Sequence, residues 1–309
     1  EDLETPFKPY TAAELGERLQ AELGPGFEIH TTEHYVLCSN AGKPYVKWCG
    51  RLFERLYTAF HDYWKKQGLE LTEPEFPLVA IILADEIQFG EFATKDAGPD
   101  SAASKGYFSI PTNRMVLYDL TAAKGKRAGS EDEIERNLSA APYNTATVVH
   151  EATHQIAFNS GMHKRFADNP LWLTEGMAMF FETPDLRSKT GWKTVGSLNR
   201  IRVKPWLDFV ANRRKSDSLR TLLGSDNRFT DPATAGDAYA ESWALTWYLI
   251  KNRGQDYTKY LQRLSQKPRL EWLTPSERLK EFQAVFGDDL DALDRDFTRY
   301  MKQHYGRNK

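Results

Sequence analysis

Cysteine is nearly absent from this sequence: Cys38 and Cys49 are the only two. That excludes a disulfide framework and leaves one bridge or two buried thiols as the options. No tract of one charge is present either. Forty-one Lys plus Arg stand against 43 Asp plus Glu, a formal charge of −2, and without a basic stripe no nucleic-acid partner is expected. Long apolar runs are missing as well. The longest, residues 78–84, is far too short to cross a bilayer, so no membrane span is expected. The chain opens EDLETP with no charged or apolar leader region, and the expectation is that any export signal has been removed or was never there.

What is present is a globular composition, 40% hydrophobic and 27% charged over 309 residues, enough for one large domain or two ordinary ones. Thr11-x-x-Glu14 reads as a capping box opening a helix that closes at Gly24. Residues 27–31 and 34–39 read as strands. A long helix from Pro44 to about Gly68 follows, with apolar positions from Val46 to Trp64 at helical spacing. Residues 78–84 form a β-branched run suited to a central strand, and 106–110 with 115–119 read as a hairpin turning through Pro111-Thr112-Asn113. Residues 120–137 are rich in Lys, Gly, Ser, Asp and Glu and read as an exposed excursion. From Tyr143 helical patterns dominate: 144–158, 171–181, 206–214, 237–251, 255–265, 275–285 and 289–304, with a second capping box at Thr274-x-x-Glu277. The expected class is α+β, an N-terminal α/β part at 1–142 and a helical part at 143–309 that together make one catalytic unit.

The chemistry concentrates at His150-Glu151-Ala152-Thr153-His154. Spacing i, i+4 on a helix puts both imidazoles on one face, a turn apart, where they can bind one Zn²⁺, and Glu151 between them can reach a water on the metal. A catalytic zinc site needs a third protein ligand. The metzincin continuation is excluded because Ala157 and Ser160 stand where it needs Gly and His, and His163 then reads as a surface residue near the Gly161 helix stop. A carboxylate from the next helix is the remaining choice. Glu175 in Trp172-Leu173-Thr174-Glu175-Gly176-Met177-Ala178 supplies it, on a helix entered by Asn169 as N-cap and Pro170 at its first position.

With these residues the chain resembles the gluzincin, thermolysin-like zinc peptidases. The stretches at residues 238–245 and 286–290 are similar to those of an uncharacterised branch of bacterial secreted metallopeptidases in that group. The resemblance implies a strand-rich upper lobe with a mixed sheet, a helical lower lobe, and a zinc helix on the floor of the cleft between them. It also implies one Zn²⁺ per chain held by His150, His154 and Glu175, and an extracytoplasmic location. One departure stands out. Where thermolysin-like members carry an Asp four residues after the third ligand, this chain has Met179, so support for the zinc histidines must come from elsewhere; Glu182, Thr147 and backbone carbonyls are the candidates.

The expected reaction is peptide hydrolysis by a zinc-activated water, with Glu151 as general base and then acid. Tyr239, at a helix start after Gly236, is the expected oxyanion donor, with packing on Trp243 as the competing reading and Tyr143 as an alternative donor. The substrate is expected to be a peptide in extended conformation, held along the edge strand of the 106–119 hairpin as the resemblance implies. Trp172, Trp243 and Trp247 read as pocket lining or as core, and residues 197–205 and 225–235 as a rim. Glu241 or Asp237 would be needed as an amine anchor if the enzyme were an aminopeptidase; without an exopeptidase motif an endopeptidase is favoured. The contrasting expectation is a zinc-bearing, inactive protein that binds a peptide or cell-envelope partner, against which the intact Glu151 argues.

Overall fold

Thr11 and Glu14 form the capping box that their spacing predicts. The Thr11 hydroxyl accepts from the Glu14 N–H at 3.3 Å and the Glu14 carboxylate accepts from the Thr11 N–H at 2.9 Å, and α1 (Ala12–Leu23) follows. The structure is a computed structural model and describes residues 7–122, 127–183 and 192–305. After α1 come β1 (Glu28–Thr31), β2 (Tyr35–Ser39), α2 (Lys43–Lys66), β3 (Leu78–Leu83), α3 (Glu86–Ala97), β4 (Gly106–Phe108) and β5 (Arg114–Tyr118). Helices complete the chain: α4 (Glu131–Ala140), α5 (Pro142–Asn159), α6 (Leu171–Phe181), α7 (Arg200–Asn212), α8 (Ser218–Gly224), α9 (Asn227–Thr230), α10 (Ala235–Asn252), α11 (Gly254–Ser265), α12 (Pro275–Phe286) and α13 (Leu290–Tyr305). The class is α+β.

The described residues fall into two compact units. One holds residues 7–59, 72–122 and 127–156, the other 60–71, 157–183 and 192–305. The division lies within α5, whereas the change of texture along the sequence lies at its start.

The first unit is built on a five-stranded mixed sheet in the order β1-β2-β3-β5-β4. β2, β3 and β5 run parallel in the middle, and the antiparallel partners β1 and β4 lie at the edges. All six residues of β3 are buried, as an unbroken apolar run requires of a parallel strand covered on both faces. One face packs Val36, Cys38, Val79, Ile81, Leu83 and Val116 against Leu19 of α1 and Phe89 and Ala93 of α3. The hairpin is present: Ser109 N–H donates to the Arg114 carbonyl at 2.9 Å and Asn113 turns the chain at φ 59°. Cys38 and Cys49 are free and buried. Burial pushes the Cys38 thiol up to about 11, which makes it unreactive.

In the second unit α6 packs on α10, and Trp172 and Trp243 are fully enclosed while Trp247 is 8% exposed. These three tryptophans are core, the second of the two readings their spacing allows. Trp172 stacks on Tyr260 and Trp243 lies against Tyr305.

Several local expectations are corrected. Residues 120–137, read as an exposed excursion, include the start of α4, capped by Ser130, whose hydroxyl accepts from the Glu133 N–H; residues 123–126 lie outside the described residues. α7 begins at Arg200 and not at Trp206, so Pro205 lies inside a helix. α10 begins at Ala235, so Gly236 is no break. His163 is 2% exposed with its ring against Phe158 at 5.2 Å, not a surface residue.

Candidate metal centre

α5 is buried almost all round, so its polar side chains have few directions in which to point. His150 and His154 are each 9% exposed, and their Nε2 atoms lie 3.0 Å apart. That separation follows from the i, i+4 relation on a regular helix once both rings turn to the same side. Gln155 holds the helix in register with the sheet, donating through Nε2 to the carbonyls of Val79 at 2.8 Å and Asn113 at 3.2 Å. His150 and His154 each offer an imidazole nitrogen in the first unit, and Glu175 offers a carboxylate oxygen in the second. Two imidazole nitrogens and one carboxylate oxygen are the donors of a His₂Glu zinc site, so the residues present fit the ion.

Glu151, half-buried, turns to the edge of the sheet. Its Oε2 accepts a hydrogen bond from the Phe108 N–H at 2.9 Å. In the β4–β5 register Tyr107 and Ser109 face β5, so the Phe108 N–H points outward from edge strand β4. At Gly106 a Cβ would crowd the Val116 carbonyl at 3.2 Å and meet Glu151 Cγ in ordinary contact at 3.5 Å. The sequence places Glu151 beside the histidines. It contains no signal that the edge strand would hold it.

Glu175 sits on α6, whose start differs from expectation. Asn169 does not cap the helix; its Nδ2 donates to the carbonyls of Lys164 and Ala167. The N-cap position is Pro170, and the Leu171 N–H is taken by Asp226 Oδ1 at 3.0 Å, from 55 residues further on. Two turns after Glu175, on the same face of the helix, Glu182 is 2% exposed. Its carboxylate accepts from Asn199 Nδ2 at 2.9 Å, Arg202 Nε at 3.0 Å and Arg202 Nη2 at 2.6 Å. Thr147 donates to the Tyr143 carbonyl at 3.0 Å. These contacts tie both candidate supports of the zinc histidines to other groups, Glu182 to α7 and Thr147 to its own helix.

Arg202 is the residue the sequence does not reveal. Burial works against its charge, but the carboxylate of Glu182 outweighs burial, with smaller contributions from Glu175 and Tyr239, and its pKa stands above the ordinary arginine value. Tyr239 on α10 is half-buried, with its ring edge-on to Phe229 at 5.2 Å. Tyr143, the alternative donor, is 61% exposed. The two acids that could anchor a substrate amine are engaged elsewhere: Glu241, fully buried, pairs with Arg214 and Arg228 and accepts from Ser218, while Asp237 pairs with Arg213.

Another group, Glu33, His34 and Glu54, with ligand atoms within 4.8 Å of one another, lies in the first unit. There the Glu54 carboxylate accepts from the Thr32 hydroxyl at 2.5 Å and the His34 N–H at 2.8 Å, and lies 2.6 Å from His34 Nδ1. Those contacts are what a carboxylate needs to fasten β1 and β2 to α2.

Residues 144–271 match a family described as "protein of unknown function (DUF1570)", a stretch that includes His150, Glu151, His154, Glu175, Arg202 and Tyr239. No curated protein matches the chain.

Proposed function

We propose that the chain is a zinc-dependent peptidase that hydrolyses peptide bonds with Glu151 as general base. The observation that carries this reading is the pairing of His150 Nε2 and His154 Nε2, 3.0 Å apart on α5, with Glu175 of α6 as the third ligand proposed. The chemistry supplied by a zinc ion bound there is Lewis acidity, which acidifies water to a pKa near 7 and polarises a carbonyl. Glu151 takes the proton of the attacking water and delivers it to the leaving amine, completing hydrolysis without net change in the protein. The position of Glu151 against edge strand β4, where it accepts from the Phe108 N–H, supports binding of an extended peptide along that edge beside the general base. Tyr239, under the field of the Arg202 cation, is the donor proposed for the tetrahedral oxyanion.

Engagement of Glu241 and Asp237 by arginines favours an endopeptidase over an aminopeptidase. The resemblance to secreted gluzincins adds an extracytoplasmic location to the proposal. The second reading, a zinc-bearing but inactive peptide- or envelope-binding protein, is opposed by the Glu151 carboxylate beside the two histidines.

Metal content by elemental mass spectrometry is the first test. The parent should carry near-stoichiometric zinc and His154→Ala should lose it. Glu151→Gln should keep the zinc and lose hydrolysis of an unfolded protein substrate by roughly a hundred- to ten-thousand-fold. A parent that takes up no zinc after incubation with the metal would sink the proposal. Equal zinc with no hydrolysis in parent or variant would favour the binding protein.

A further inference from the structure

Phe166 and Leu270 are two of three non-glycine residues at positive φ among the described residues, both at 63°. A bulky L-residue in the left-handed region costs stability, and such strain persists where the surroundings impose it. The surroundings here are specific. Leu270 N–H donates to the Phe166 carbonyl at 2.6 Å, and Ala167 and Arg269 form an antiparallel bridge, so two loops distant in the chain are fastened back to back. Beneath them, Asp168 is held by Lys267 at 2.8 Å and by Arg278, and Lys267 also meets Glu281 at 3.0 Å. All four of these side chains are buried. A rigid base therefore carries two strained tips.

The tips are apolar and face water. Phe166 is 40% exposed, Leu270 68%, and Trp272, two residues on, 63%. Around them the same loops carry four cations, Lys164, Arg165, Lys267 and Arg269, against two acids, Asp168 and Glu271, and with the buried Lys267 and Asp168 paired to each other the excess stays positive. The Arg165 guanidinium lies 5.7 Å from the centre of the Phe166 ring, and Lys164 Nζ donates to the Lys267 carbonyl. Two features select the partner. The excess of positive charge asks for a negative one. The exposed apolar area, about 400 Å² for the three side chains, falls short of the roughly 800 Å² per partner that a stable protein interface buries. Shallow insertion into the headgroup region of an anionic membrane needs only a few such side chains, and Trp beside Arg is suited to that depth.

We infer that the loops carrying Phe166, Leu270 and Trp272 are a peripheral docking site for an anionic lipid surface. The apolar tips enter the headgroup layer while Arg165 and Arg269 meet lipid phosphates. The strain at Leu270 is the cost of holding a leucine outward. This inference stands apart from the proposed peptidase activity.

The test is flotation of the full chain with vesicles of phosphatidylcholine alone and of phosphatidylcholine with phosphatidylglycerol in equal parts. The parent should float with the anionic vesicles and not with the neutral ones, and added salt should release it. Leu270→Ser with Trp272→Ser should weaken binding roughly tenfold or more, and Arg165→Gln with Arg269→Gln should remove the preference for anionic lipid. Leu270→Asn separates docking from folding, since Asn accepts the left-handed conformation: it should melt no lower than the parent yet bind poorly. A parent that stays unbound with both vesicle types, floats equally with both, or binds as well after Leu270→Asn would overturn the inference. Self-association in sedimentation that Leu270→Asn abolishes would replace the membrane with a second copy of the chain.

Discussion

Gly176 follows the candidate ligand Glu175 directly, and what it lacks decides how closely α6 approaches α10. A Cβ at this position would run into Thr246 Oγ1 and sit 2.7 Å from the Ser242 carbonyl, both on α10. In an ordinary helix interior Gly to Ala stabilises by about 1 kcal/mol. Here the sign reverses: Gly176→Ala is expected to destabilise by about 1–3 kcal/mol through overpacking, lowering the melting temperature by several degrees in calorimetry. A variant that melts at or above the parent would show that α6 has room to move. The contrast with the histidines is instructive. His150 and His154 were legible because their proximity is a property of one helix; the demand for glycine at 176 is a property of two helices and has no signature in the sequence.

At the scale of the element, the start of α6 shows how a helix can be capped from afar. The local reading assigns Asn169, the nearest residue with the right side chain; in the fold Asp226 accepts the Leu171 N–H and also pairs with Arg278 Nη1 at 2.9 Å. Asp226→Ala should cost about 1–2 kcal/mol, as loss of a helix cap does, while Asp226→Asn, which retains an acceptor, should cost less. Melting temperatures of the two variants check this, and equal losses would mean that the Arg278 pair, not the cap, is what matters. Where caps are local the sequence announces them. Thr11-x-x-Glu14 and Thr274-x-x-Glu277 both form their boxes. Ser130-x-x-Glu133 carries the same spacing and opens α4, although the Lys, Gly and Ser before it give the region the composition of a loop. α3 is likewise opened by Asp85 accepting from Gln88 N–H, a cap that follows directly on the end of β3.

Acid stability is a property of the whole molecule, and Asp168 is a group through which it can be read. Burial raises its pKa, but Arg278 and Lys267 outweigh burial and hold the carboxyl below the ordinary aspartate value. The folded chain then binds this proton less readily than the unfolded one. Its contribution is complete above the ordinary aspartate pKa of about 4 and is lost as the pH falls from there through the folded value. Asp168→Asn should lower stability at neutral pH by about 3 kcal/mol or more, because it leaves two buried cations short of a partner, and should flatten the fall in melting temperature below about pH 4. Parent and variant losing stability in parallel through that range would rule out Asp168 as a source of the acid dependence.

The amino-acid sequence by itself determined the α+β class, the buried run of β3, the hairpin of β4 and β5, the absence among the described residues of a helix long and apolar enough to cross a membrane, and the placing of His150 and His154 on one face of α5. Each depends on relations within a few residues, where periodicity and short-range hydrogen bonds act. Only the tertiary structure decided that the Phe108 N–H would hold Glu151, that Glu182 would pair with Arg202, that His163 would be buried and that Cys38 and Cys49 would remain separate thiols. Those outcomes join residues far apart in the chain, and their free energy comes from packing and burial that exist only once the surrounding core has formed.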